Sequence, residues 1–137
     1  MKTLVLDSWA ILEWISGRQP ASDFVAKLLG DAEAGRTRLL MSAINVGEVY
    51  YFLRKNHSQE LSESWRQSSR TLPATIEVPT GEEIWDAALL KGCYRIAYAD
   101  AFAAALALKY RCPLVTGDPE FRSVANLQPE WLGRPGV

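Results

Sequence analysis

Residues 2–8, Lys2-Thr3-Leu4-Val5-Leu6-Asp7-Ser8, carry a short apolar run that stops at an acid and a hydroxyl. The run has the length of a strand, and no polar residue alternates through it, so the strand is expected to be buried. From Ser8 onward, Ile11, Leu12, Trp14 and Ile15 recur at helical spacing until Gly17, so a helix follows the strand directly. An acid at the end of a buried strand, entering a helix, is the feature around which the rest of the chain can be ordered.

Outward from there the pattern repeats. Pro20 to Ala34 reads as a second helix, with Phe24, Val25, Leu28 and Leu29 inward and Gly35 closing it. Arg38 to Met41 reads as a strand, and Ser42 can cap a helix to about Asn56 whose apolar stripe is Val46, Val49, Tyr50 and Leu53. A more polar helix over Ser58 to Arg70 leads to a strand at Ala74 to Val78. Thr80, three residues before Glu83, has the form of a capping box for a helix to about Gly92. Asp100 is expected to open an alanine-rich helix to Tyr110. A strand at Pro113 to Thr116 follows, then a turn at Gly117-Asp118-Pro119 into a short helix, and an edge strand within Asn126 to Trp131. Strands that alternate with helices build a parallel sheet covered on both faces, so the fold class is α/β, in one domain over residues 1–137.

Four acids stand at the places where such a sheet binds ligands. Asp7 and Asp118 each follow the C-terminal end of an expected strand, and ligands of open parallel sheets sit in the crevice beyond those ends. Asp100 begins the helix leading into the second of these strands, and Glu48 lies about a turn and a half into a helix that follows another. Taken singly, each has an ordinary explanation: Asp7 and Asp100 as helix caps, Asp118 as an N-cap before Pro119, Glu48 as a solvated helix residue. Taken together, four carboxylates converging on one cleft would repel one another unless cations fill it. A set of hard oxygen donors without His or Cys suits Mg²⁺ or Mn²⁺. Such ions can activate water for an in-line phosphodiester displacement. Asp7 and Asp100, each at a fixed element end, are expected to carry most of the ion affinity.

Composition closes off other chemistries. The chain has 137 residues and is 48% apolar, enough for one sizeable core. Its two cysteines, Cys93 and Cys112, make no disulfide framework and lack zinc spacing. His57 is the only histidine and is expected at an exposed helix end, which leaves little for a Ser-His-Asp triad or a zinc protease. The longest clean apolar run, Ala101 to Leu108, is far shorter than the roughly 20 residues of a membrane helix, and Asp7 interrupts the N-terminus before a secretory signal could form. A cytoplasmic protein is expected. The net charge of −1 does not announce a nucleic-acid binder, but with the four acids set aside the remainder carries +3. Its cations are dispersed, among them Arg18, Arg36, Arg38, Arg54, Lys55, Arg95 and Arg122.

Val5-Leu6-Asp7-Ser8, Asn45-Val46-Gly47-Glu48-Val49, Tyr98-Ala99-Asp100-Ala101-Phe102-Ala103-Ala104-Ala105 and Val115-Thr116-Gly117-Asp118-Pro119-Glu120-Phe121 occur in this order across almost the whole chain. In these stretches the sequence resembles the PIN-domain family, and within it the VapC-type toxins of toxin–antitoxin pairs. The resemblance implies a three-layer α/β/α sandwich with a central parallel sheet. It further implies an endoribonuclease dependent on Mg²⁺ or Mn²⁺, usually a homodimer, inhibited by a cognate antitoxin. Asp7, Glu48, Asp100 and Asp118 match the family's acidic quartet, and Thr116 and Ser8 match supporting hydroxyl positions.

Two other readings compete. A phosphohydrolase with a strand-end Asp nucleophile usually has a second Asp two residues on, where this chain has Trp9. A catalytically silent binding module would use the acids only as caps. Five tryptophans are expected mostly in the core. Apolar residues on more than one face of the first helix, and Tyr50-Tyr51-Phe52 in the third, exceed what a one-sided surface helix needs. They point to an interface with a second copy, an antitoxin, or both.

Overall fold

The computed structural model describes residues 1–131. Residues 132–137 of the expected domain lie outside the described residues. The chain runs β1 (Lys2–Leu6), α1 (Ser8–Ser16), α2 (Ala21–Glu33), β2 (Thr37–Ser42), α3 (Ala43–Asn56) and α4 (Gln59–Ser68). It continues with a 3-10 turn at Ser69–Thr71, β3 (Thr75–Glu77), α5 (Gly81–Cys93), α6 (Tyr98–Tyr110), β4 (Leu114–Thr116), a second 3-10 turn at Pro119–Ser123 and β5 (Pro129–Trp131).

The five strands form one sheet in the order β3-β2-β1-β4-β5, and every neighbouring pair is parallel. Leu4, Val5 and Leu6 are wholly buried because helices cover both faces of β1. Leu4, Leu6, Leu39, Met41 and Val115 pack against α1 to α4, whereas Val5, Leu40 and Leu114 pack against α6 and Phe121. Helices α5 and α6 share a further cluster around Ala87, Ile96 and Phe102. These are the three layers of the expected α/β/α sandwich.

Helix α6 crosses the middle of the sheet, and Ala101 to Ala107 are all buried. Its four alanines from Ala101 to Ala105 let it lie close to β1 and β2, which brings its first turn to the C-terminal edge of the sheet. The chain leaves β1 toward β2 and β3 on one side, then returns to place β4 on the other. The order therefore switches between β1 and β4, which is where an open parallel sheet offers its crevice.

Most caps follow the expected chemistry. Ser42, Ser58 and Thr80 each accept a backbone N–H at the head of α3, α4 and α5, and Gly17 closes α1 in the left-handed region. Two details differ. Helix α6 starts at Tyr98, behind Ala97, so Asp100 lies inside the first turn instead of heading it. Phe24, expected inward, is half exposed, because α2 turns the stripe of Ala21, Val25, Leu28, Leu29 and Ala32 to the core.

Candidate metal and nuclease site

Asp7 leaves β1 at the switch point, and its carboxylate accepts the Ala10 N–H at 2.8 Å, which caps α1. Thr116, at the end of the adjacent strand β4, is buried and hydrogen-bonded to the same carboxylate. The Thr116 hydroxyl also accepts the Asp118 N–H at 3.0 Å, so one hydroxyl spans the two strand-end acids. Asp118 in turn accepts the Glu120 N–H at 3.0 Å and heads the 3-10 turn, with Pro119 next in line as expected.

The other half of the site is held from the helices. The Ser8 hydroxyl donates to Glu48 Oε1 at 2.5 Å across from α1 to α3. Asn45 donates to the same oxygen at 3.3 Å and to the Ala99 carbonyl at 3.0 Å, one residue ahead of Asp100. Glu48 is half-buried, not the solvated residue its local pattern suggests.

Charge ties the acids together. Burial pushes Asp7 up to about 8, against the lowering effect of the Thr116 and Ala10 hydrogen bonds, and the charges of Asp100 and Glu48 raise it further. Asp100 is raised to about 7, first by burial, then by Glu48, Asp118 and Glu120. Asp100, Asp118 and Glu120 each offer an oxygen within 4.8 Å of the others. The structure thus brings all four expected acids to one edge and adds Glu120. Among the described residues the charged groups gathered at this edge are carboxylates, with no histidine or cysteine beside them in the group of Asp100, Asp118 and Glu120, and at neutral pH two of the acids are held above their ordinary range. That donor set and that unrelieved charge fit a hard divalent cation.

Glu120 could have been found from the turn: an Asp-Pro start leaves the residue two on beside the capping carboxylate. Asn45 has no such signal, because nothing local says which way a buried amide points. Tyr51, exposed one turn after Glu48, also belongs here. Its hydroxyl is raised by burial and then by the charges of Glu48 and Asp100, while the residue itself is 58% exposed.

Gly117 leaves room for the Trp9 side chain. A Cβ at Gly117 would run into the Trp9 indole ring. Trp9, two residues after Asp7 where a phosphohydrolase would carry its second Asp, therefore lies over the loop between Thr116 and Asp118. Gly117→Ala is expected to destabilise the protein by about 1–3 kcal/mol, through overpacking against a rigid ring. Denaturant unfolding measures this, and Trp9→Leu in the same chain should restore most of the loss. An unchanged midpoint in Gly117→Ala would mean the indole is free to move aside.

The basic residues are mostly engaged elsewhere. Arg18, Arg36 and Arg54 pair with Glu13, Asp31 and Glu63, while Arg38 and Arg122 lie over Tyr110 and Trp131. Among the described residues, Lys55 and Arg95 have neither kind of partner, and the same holds for Lys27, Arg70, Lys91 and Arg111. No helix among them is long and apolar enough to cross a membrane.

Comparison with curated proteins finds no match. Solved structures match over nearly the full length of both chains. VapBC2 from Rickettsia felis, bound to a DNA fragment from its promoter, aligns with a TM-score of 0.71 at 17% identity, covering 95% of this chain and 98% of its own. The sarcin–ricin-loop-cleaving toxin VapC20 of Mycobacterium tuberculosis gives 0.69 at 13%, covering 92% and 99%. VapBC-1 from nontypeable Haemophilus influenzae gives 0.64 at 21%, covering 94% and 97%. At these identities the likeness is one of fold. The PIN-domain family model matches residues 4–127, from β1 through β4 and the turn that carries Asp118 and Glu120, and the chain belongs to the PIN-domain family.

Proposed function

We propose that this chain is a divalent-cation-dependent endoribonuclease of the cytoplasm, the toxin of a toxin–antitoxin pair, with its site in one domain over residues 1–137. The observation that carries the reading is the linked set of Asp7, Glu48, Asp100 and Asp118 at the sheet's switch point, with Thr116 and Ser8 supporting them. Mg²⁺ or Mn²⁺ bound there would lower the pKa of a water molecule and offset the negative charge of the scissile phosphodiester.

The chain's own residues prepare that place. Asp7 is fixed by Ala10 and Thr116, so its oxygens cannot swing away. Glu48 has one oxygen gripped by Ser8 and Asn45, which leaves the other to the crevice. Asp100 and Asp118 are partly open to solvent and Glu120 is exposed, which makes this side the approach for a phosphodiester. A silent binding module finds support in the caps that Asp7 and Asp118 form. It does not account for Glu48, which caps nothing and whose contacts are Ser8 and Asn45.

Cleavage of a generic single-stranded RNA is the test. The wild-type chain is expected to cut in Mn²⁺ or Mg²⁺ and to stop in chelator; a chain that binds the ion and leaves RNA intact would refute the nuclease. RNA as substrate is favoured by the fold shared with a toxin named for cleaving the sarcin–ricin loop. An antitoxin partner is favoured by the fold shared with toxin–antitoxin complexes. Expression of this chain alone should arrest growth, and co-expression with the product of a short adjoining reading frame should relieve it.

The homodimer is best served by α5. Trp85 and Leu89, one turn apart, are 73% and 67% exposed, and Val78 just ahead of the helix is 75% exposed. Exposed Glu82 and Asp86 stand toward the start of α5, and exposed Lys91 and Arg95 toward and beyond its end. Two copies packed antiparallel across a two-fold axis would set each acidic end against the other's basic end, as an isologous interface requires. Trp85→Glu is expected to convert a dimer to a monomer in light scattering. A dimer that survives it places the interface elsewhere.

A further inference from the structure

We infer that Asn45 is a positioning residue of the acidic site, selecting which oxygen of Glu48 faces the crevice and locking α3 to the first turn of α6. The inference rests on the cation-dependent reading above and adds a residue that the quartet does not include.

Asn45 lies in the first turn of α3 and is fully buried. Its amide nitrogen donates to Glu48 Oε1 at 3.3 Å and to the Ala99 carbonyl at 3.0 Å. Ser8 donates to that same Oε1 at 2.5 Å. Two neutral donors on one carboxylate oxygen hold the side chain's last torsion, which is otherwise broad and nearly two-fold. The other oxygen, Oε2, is thereby the one left for the site. Through Ala99 the same amide fixes the backbone one residue before Asp100, so Glu48 and Asp100 are held relative to each other although they stand on different helices.

A buried Asn retained for packing would have its polar atoms satisfied. Here Oδ1 is buried with no hydrogen-bond partner among the described residues. Such an orphan has given up its hydrogen bonds to water without regaining one in the fold. Turning the amide over gives no relief, because Oδ1 would then face Glu48 Oε1 and the Ala99 carbonyl, both acceptors. An aliphatic side chain of the same size would avoid the cost, so the position carries a stability loss in exchange for its two donated hydrogen bonds. Buried polar groups of this kind ask for a functional reason, and partners that orient metal-binding side chains are one.

The experiment compares Asn45→Leu, which keeps bulk and removes the donors, with Asn45→Thr, whose one hydroxyl can serve only one of the two acceptors. Mn²⁺ affinity is measured calorimetrically on the chain without RNA, alongside thermal stability and steady-state cleavage. The Leu variant is expected to melt at or above the wild-type temperature, to bind Mn²⁺ about 10-fold more weakly, and to lose about 10–100-fold in kcat with KM for RNA little changed. The Thr variant should fall between. A Leu variant that folds and binds Mn²⁺ like the wild type overturns the inference. Should the Leu variant not fold, a folded Thr variant with wild-type Mn²⁺ affinity overturns it equally. Weakened Mn²⁺ binding supports the assignment even if the wild type cuts no RNA, and that separates this inference from the nuclease reading. A wild type that binds no Mn²⁺ refutes both.

Discussion

Replacing Asp100 with Asn is expected to weaken Mn²⁺ binding by at least about 100-fold and to reduce RNA cleavage by about 1,000-fold, with the fold intact. Asp100 is the junction of the acidic set. It raises Asp7, and it is itself raised by Glu48, Asp118 and Glu120 after burial has acted. It is also the member that shares the 4.8 Å group with Asp118 and Glu120 while remaining coupled to the two acids held by the interior network. Removing its charge therefore separates the open half of the site from the buried half. Asn keeps the side chain's size in the first turn of α6, whose stability comes from Ala101 to Ala107 packed on the sheet, so loss of function should not come from unfolding. Asp7→Asn is expected to act in the same direction. Ion titration and cleavage assays on both variants decide the matter: if affinity and rate are unchanged in both, the acids are structural.

The fold could be read because its cues are local. Three consecutive apolar residues before Asp7 identify a strand buried on both faces, and Ser42, Ser58 and Thr80 announce helix starts by a hydrogen bond made within three residues of themselves. The start of α6 carries no such mark. Ala97 has no side chain to cap with, so the first polar residue, Asp100, reads as the cap when the helix has already begun. The strand-end acids were legible for a related reason: in a parallel sheet the residue after a buried strand must emerge at the ligand-binding edge. Glu48 was harder, since a mid-helix glutamate beside the apolar stripe could face water, and only the packing of α1 on α3 brings Ser8 to it. Asn45 and Glu120 depend on contacts between elements that no local spacing encodes. Trp85 shows the opposite limit. A tryptophan defaults to the core, yet α5 turns Ala87 and Leu90 toward α6 and leaves Trp85, on the opposite face of the helix, 73% exposed.

Asp7→Asn should also make the ion-free protein more stable, and most clearly so in mild alkali. The Asp7 carboxyl is buried and raised to about 8, while an unfolded chain's aspartate titrates near 4. The folded protein thus holds this proton more tightly than the unfolded chain does. Its contribution to stability is fully present below about pH 4 and is lost progressively as pH rises to about 8. At pH 8 in chelator, Asn, which never ionises and can still accept the Ala10 N–H, is expected to be more stable than Asp by on the order of 2–4 kcal/mol. For a chain of this length that corresponds to roughly 7–14 °C in Tm. Near pH 4.5 the two should melt almost together, since the wild-type carboxyl is then protonated in the fold. Saturating Mn²⁺ should reverse the order at pH 8, because the wild type gains stability from an ion that the variant binds poorly. A function-neutral cap would behave otherwise: loss of the aspartate would lower Tm at every pH above 4, with or without the ion. Melting curves over pH 4.5–8.5, in chelator and in Mn²⁺, tell the two apart, and a variant less stable than the wild type at pH 8 without ions would mean that Asp7 is a cap and not a site held under charge strain.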